Sequence, residues 1–212
     1  MKNTIRILLG LGLFWVATRT CLGQQNVVAT SPTPKITIYI YNYSNMSAQK
    51  LAKAEKEASR IFGNAGLESD WVLMPLSLEN PPEPAKTLGL TDIVLRLQPQ
   101  KRGELGKRVM GEALSFQIVN VFMSRVMQES DSGGICAEQV LGHAMAHEIG
   151  HLLLGANSHS QSGIMVARWT KPDFSRMSKG DLLFRREEAE HMRAEVLRRN
   201  RGEGPSHLAG LK

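Results

Sequence analysis

The chain has 212 residues, 42% of them hydrophobic, which suffices for one domain with a real core. Its formal charge is +6, yet its basic stretches argue against a nucleic-acid track. QKRGELGKR carries no aromatic residues, and the region around Arg198, Arg199 and Arg201 is mixed with Glu187, Glu188, Glu190 and Glu195, as on a solvated helix face.

The first residues combine a positive start (Lys2, Arg6), an apolar run from Ile7 to Ala17 and small residues near Gly23. This pattern predicts a signal peptide over residues 1–23 and hence a secreted or periplasmic protein. The run is short for a bilayer span, and Thr18 and Thr20 make a poor lipid-attachment signal before Cys21, so no stable membrane insertion is expected after cleavage. Cleavage would also remove Lys2, Arg6 and Arg19, lowering the formal charge to +3. Cys136 would then be alone, with no intrachain disulfide open to it, and reads as a small core residue rather than a reactive thiol or ligand.

Residues 24–34 are polar with proline and read as an extended leader; the folded domain is expected over 35–200, with a loose tail over 201–212. KITIYIYNY alternates Ile36, Ile38 and Ile40 with Thr37, Tyr39 and Tyr41, as a half-buried strand does. Ser47 can cap a helix whose apolar stripe is Leu51, Ala54, Ala58, Ile61 and Phe62, ending at Gly63 or Gly66. LESDWVLMP and TDIVLRLQP read as strands around a proline-rich turn, MGEALSF as a short strand and VNVFMSRVMQ as a longer one. After SDSGG the chain is helical in character from Ile135 to Leu154, with Gly155 as its stop, and a last amphipathic helix is expected from about Ser178. The fold class is therefore α+β: a mixed, twisted sheet of about five strands packed on a long helix and an active-site helix, with a C-terminal helix after them.

His143, His147, His151 and His159, four of the six histidines, lie between His143 and Met165. His147 and His151 stand one helical turn apart on one face, so two imidazoles can share an ion, while Glu148 is turned away by about 100° and can reach a water beside it. This is the HExxH pattern, and Zn2+ is the cofactor it implies. A catalytic zinc takes three protein ligands and leaves a position for water. His159 is the favoured third ligand, since the chain can turn back after Gly155; Glu187 or Glu188 would instead give a His, His, Glu site of the gluzincin type. His143 is the least suitable, because three successive turns of a straight helix set their side chains in a line.

At these residues the chain resembles the metzincin zinc peptidases, whose signature HExxHxxGxxH is followed by a Met-turn. Here stand His147, Glu148, His151, Gly155, His159 and, after SQSG, Ile164 and Met165. The spacing departs from the family's: Gly155 is four residues after His151 rather than three, and His159 is eight after rather than six. An ungapped reading would place Leu154 and Asn157 at those positions, and leucine is unsuited to the turn while asparagine is a weak zinc ligand. The resemblance implies a zinc metalloendopeptidase in which Glu148 activates the water, Met165 floors the metal site, and MGEALSF is the edge strand that aligns an extended peptide or protein substrate. Val166, Trp169 and Phe174 could line a pocket for apolar side chains or pack beneath the last helix. A noncatalytic zinc-binding domain is the competing class, but structural zinc sites usually have four ligands, often with cysteines. Oligomeric state has no signature in the chain.

Overall fold

The computed structural model describes residues 32–76, 88–100, 110–155 and 157–204. The signal peptide, most of the leader, the proline-rich turn over 77–87, the basic stretch over 101–109 and the end of the tail fall outside the described residues. In chain order the elements are β1 (Lys35–Asn42), α1 (Ala48–Asn64), β2 (Glu68–Leu73), β3 (Asp92–Gln98), β4 (Gly111–Ala113), β5 (Ile118–Phe122), α2 (Met123–Gly133), α3 (Ala137–Leu154), α4 (Lys171–Ser178) and α5 (Arg186–Asn200). Among the described residues no helix is long and apolar enough to cross a membrane.

The five strands form a mixed sheet in the order β2-β1-β3-β5-β4, with β4 the sole antiparallel member. Register explains why one face is dry. Ile38 lies beside Ile93, Ile40 beside Leu95, and Leu95 and Leu97 beside Val119 and Val121, so period-2 alternation collects these side chains on one side. All of them are fully buried. The opposite face carries the half-buried Thr37, Tyr39 and Arg96.

Helices α1 and α3 pack against each other beside the sheet. The α1 stripe Leu51, Ala54, Ala58, Ile61 and Phe62 is buried, as its period of about 3.6 residues demands. Gly142 lets the two helices close up: a Cβ there would lie 2.8 Å from the Ala54 carbonyl oxygen and 2.7 Å from Glu57 Cβ. Unlike α1, α3 is buried on every side from Val140 to Gly150, because the C-terminal segment covers what the sheet and α1 leave open.

Three arginines tie that segment to backbone carbonyls. Arg60 donates to Gly180, Arg193 to Ala65, and Arg199 to Leu152 in the last turn of α3. Arg199 is fully buried and paired with Glu195, its Nε 2.8 Å from the carboxylate. The end of α3, just before Gly155, is thus held by a charge-assisted hydrogen bond of 2.6 Å.

Three expectations are corrected. VNVFMSRVMQ is not one strand: β5 ends at Phe122 and α2 begins at Met123, with Val126 and Ser130 on its buried side and Gly134 in the left-handed conformation at its end. The last helix does not begin near Ser178, where α4 instead ends; Gly180, at φ +78°, breaks the chain before α5. Cys136 is exposed at the N-cap of α3 rather than in the core, because the buried stripe of that helix starts only at Val140.

Candidate metal centre

Helix α3 carries His147 and His151 one turn apart, and their Nε2 atoms lie 3.1 Å from each other. The helix stops at Gly155, whose φ of 100° and ψ of 162° are open to glycine and very costly for any other residue. Asn157 then sits at φ +63°, a left-handed position asparagine tolerates, and the chain turns back so that His159 joins the pair. Each of the three histidines presents a ring nitrogen, and these atoms all lie within 4.8 Å of one another. The rings of His151 and His159 meet nearly perpendicular, at 85°.

Second partners set which nitrogen is free. The carbonyl oxygen of Ile164 can only accept, so the 2.8 Å contact requires His147 to donate from Nδ1 and leaves its Nε2 as a lone pair. His151 Nδ1 lies 3.0 Å from the hydroxyl of Ser158, which can accept its proton and free the second Nε2. Two lone pairs facing each other at that range repel unless a cation lies between them. Nitrogens about 2.1 Å from one tetrahedral ion are roughly 3.4 Å apart, so the donor set suits Zn2+.

Burial reinforces this. It pushes His147 down to about 4, against the opposing effect of the Ile164 hydrogen bond. His151 is pushed to about 4 by burial and by its two histidine neighbours. Both rings are uncharged at neutral pH, the form that binds metal. Glu148, only 5% exposed, is shifted the other way, to about 8, by burial first and by the nearby Glu112 second.

Met165 is fully buried, and its side chain lies against Gly150 on α3, where a Cβ would come within 2.7 Å of Sδ. The turn holding it is bound by Ser160 N–H to the Met165 carbonyl at 2.9 Å and Ile164 N–H to Leu183 at 2.9 Å. The indole N–H of Trp169 also donates to Ile164, at 3.1 Å, so that one carbonyl serves both the tryptophan and His147.

The three histidines and Glu148 open into a cleft of about 810 Å³ that Met110–Ala113 and Ala167–Trp169 also line. Part of its lining is charged: Arg125 on α2 pairs with Glu129 and bonds Gln128 at 2.7 Å. Val166, Trp169 and Phe174 divide between the two readings open to them, pocket lining and packing. Phe174 fills the space over Gly133, Val166 packs on the core, and of the three only Trp169 reaches the cleft.

The alternative ligands are not among the three converging nitrogens, although Glu188 is near enough to act on His147 electrostatically. Glu188 is buried in the cap of α5, both oxygens taken by the backbone N–H and the Nε of Arg185, and Glu187 is exposed. His143 is fully buried with Nδ1 on the Gln139 carbonyl, 3.6 Å from Glu57 and edge-on to Trp169. Sequence reasoning passed over Ser158 and Gly111 as residues of the site, and read Trp169 as a pocket wall or packing residue without its bond to Ile164. Ser158 lacks any motif, whereas the glycine in a short strand was a visible signal of close backbone approach.

No family model matches the chain, and no curated protein matches it. Among solved structures it is similar to a zinc-dependent peptidase from Methanocorpusculum labreanum, at 15% identity and a TM-score of 0.49, over 73% of this chain and 99% of that one. An archaemetzincin from Methanopyrus kandleri aligns at 14% identity and a TM-score of 0.49, over 80% of this chain and 99% of that one. Likeness at this level decides neither fold nor chemistry, which rest on the chain's own elements and site.

Proposed function

We propose that this chain is an exported zinc metalloendopeptidase of metzincin type. The observation that supports it most is the convergence of three imidazole nitrogens, with His147 and His151 held by second partners, beside a buried carboxylate in an open cleft.

In this reading His147, His151 and His159 hold the ion, and Met165 packs beneath them as an apolar floor. A zinc ion in that place supplies Lewis acidity, making a water easier to deprotonate and a peptide carbonyl easier to attack. The ionised form of Glu148, which burial disfavours in the metal-free chain, is favoured beside a cation held by the histidines. As a carboxylate, Glu148 takes the proton of the attacking water, whose oxygen forms the new bond to the carbonyl carbon. The same carboxyl group then hands its proton to the departing amine as the C–N bond breaks, so charge and protons balance within one active-site group.

The edge position of β4 supports an extended substrate. Among the described residues β4 ends the sheet, paired with β5, and its residues line the cleft, so a peptide can lie along it by main-chain hydrogen bonds. Export is part of the same proposal and rests on the apolar run from Ile7 to Ala17 behind Lys2 and Arg6.

The test is cleavage of a mixed library of unstructured peptides by zinc-loaded protein, read by mass spectrometry. The expected result is internal cleavage by the native sequence, abolished in Glu148→Gln with zinc retained. Absence of cleavage by the zinc-loaded native protein, or equal cleavage by Glu148→Gln, overturns the reading.

A further inference from the structure

Gly111, the first residue of β4, lies against Glu148. A Cβ built on it would fall 2.5 Å from both Cγ and Cδ of Glu148 and 2.5 Å from the carbonyl oxygen of Asn120. No real Cβ tolerates either approach. Its backbone conformation does not demand glycine, since Gly111 is absent from the positive-φ positions among the described residues. What excludes a side chain is space alone. Glycine otherwise weakens a strand, so a glycine kept there for its missing side chain marks a close approach.

The strand is also prevented from stepping aside. On one flank Phe122 N–H bonds the Met110 carbonyl at 2.7 Å, and on the other Leu114 N–H bonds the Ile118 carbonyl at 2.8 Å. Between these ties Gly111 is in register with Val121, on the face of the sheet that looks toward the helices. The Asn120 carbonyl blocks one direction and Glu148 the other. The carboxylate side chain is consequently confined between the α3 backbone and the bare backbone of the substrate-side edge strand.

We propose that Gly111 is a positioning residue for Glu148: the bare strand backbone presses on the carboxylate stem and fixes where its oxygens stand relative to the three histidines. The proposal rests on the reading of Glu148 as the proton-transfer group, but the contact itself can be tested without it. A β-carbon at residue 111 must move both the Glu148 side chain and the strand against the Asn120 carbonyl, and a displacement of the carboxylate by about 1 Å from productive geometry can cost on the order of a hundredfold in rate.

The experiment is a double-mutant cycle with Gly111→Ala, Glu148→Ala and the double variant, followed by thermal unfolding, with zinc content and peptide turnover measured on the same samples. Gly63→Ala, at a helical glycine with open space around its missing Cβ, serves as the control: it should leave zinc content and turnover unchanged and should not lower Tm, since alanine is the better helix former. The expected result is that Gly111→Ala lowers Tm in the native background and lowers it distinctly less when Glu148 is already alanine. Turnover should fall at least roughly tenfold through kcat, with KM nearly unmoved and one zinc per chain retained. Should Gly111→Ala fail to fold, recovery of folding in the double variant supports the contact; if both fail because of the Asn120 carbonyl, kcat of Glu148→Asp decides, since a carboxylate shortened by one carbon and still fully active would overturn the need for the strand to position it. Additive Tm changes, or unchanged kcat, also overturn it. If the native protein cleaves no peptide, the peptidase reading fails by itself, and coupling in the Tm cycle still decides whether Gly111 packs on Glu148.

Discussion

His147 donates its Nδ1 proton to the carbonyl oxygen of Ile164 at 2.8 Å, and so the residue next to Met165 in the turn fixes the tautomer of the first histidine of the site. Trp169 donates to the same oxygen at 3.1 Å. Replacing Trp169 with Phe keeps most of the ring packing and removes that second donor, loosening the turn beneath the histidines. The expected outcome is zinc affinity about tenfold weaker, the size of effect that supporting hydrogen bonds around a ligand usually have. Competition with a chromogenic chelator measures it, and unchanged affinity would show that the turn is held without the indole.

Gly155 gives a second prediction. Its φ of 100° and ψ of 162° cost a residue with a side chain about 1–3 kcal/mol or force the loop onto another path. Gly155→Ala should therefore lower Tm and weaken zinc binding together, because that loop carries His159. A fall in Tm with zinc affinity unchanged would separate the helix stop from the ligand loop.

Arg199 gives a third. Its guanidinium is fully buried between Glu195 and the Leu152 carbonyl, whereas Arg198, pairing with the same carboxylate, is 20% exposed. Arg199→Leu leaves a helix-end carbonyl without its charged donor and should cost about 2 kcal/mol. Arg198→Leu should cost under about 1 kcal/mol. Denaturant unfolding of the two variants gives the comparison, and equal losses would contradict it.

The pH dependence of the metal-free protein follows from opposite shifts. His147 and His151 lie near about 4 in the folded chain, below their ordinary value of 6.5, so the unfolded chain binds more protons between these values and their effect is to raise stability as pH climbs to 6.5. Glu148, raised from 4.5 to about 8, acts in the other direction: the folded chain holds the extra proton, and stability is lost as pH rises from 4.5 to 8. Two histidines outweigh one glutamate below 6.5, and above it the glutamate acts alone. Stability from these groups should peak near pH 6.5 and decline toward pH 8, with the decline removed in Glu148→Gln. Urea unfolding in the presence of chelator, across that range, checks it; a decline of the same size in Glu148→Gln would assign it elsewhere.

Much of the fold was legible because one period dominated each legible segment. The alternation of Ile36, Ile38 and Ile40 and the stripe from Leu51 to Phe62 each have a dry side and a wet side, and they form β1 and α1. The strand-to-helix change at Phe122 was hidden for a physical reason: α2 has no side-chain N-cap bond, and apolar residues run through the junction from Val121 to Met123 without a break. Helix α4 did announce itself, through the capping box of Thr170 and Asp173 and through Pro172 in its first turn, a start signal overshadowed by the reading of Val166, Trp169 and Phe174 as pocket-lining or packing residues. At the site, the motif spacing pointed to His147 and His151, and the glycine stop at Gly155 made His159 the favoured third ligand despite its longer spacing. The contribution of Gly111 depends on a strand distant in sequence meeting α3, and only tertiary packing brings that contact about.

The most direct test of the central claim is the metal content of purified, zinc-replete protein by elemental analysis, beside His159→Ala and Glu148→Ala. The account predicts one zinc per chain in the native protein and in Glu148→Ala, and its loss in His159→Ala. A native protein without zinc, or full zinc in His159→Ala, would contradict it.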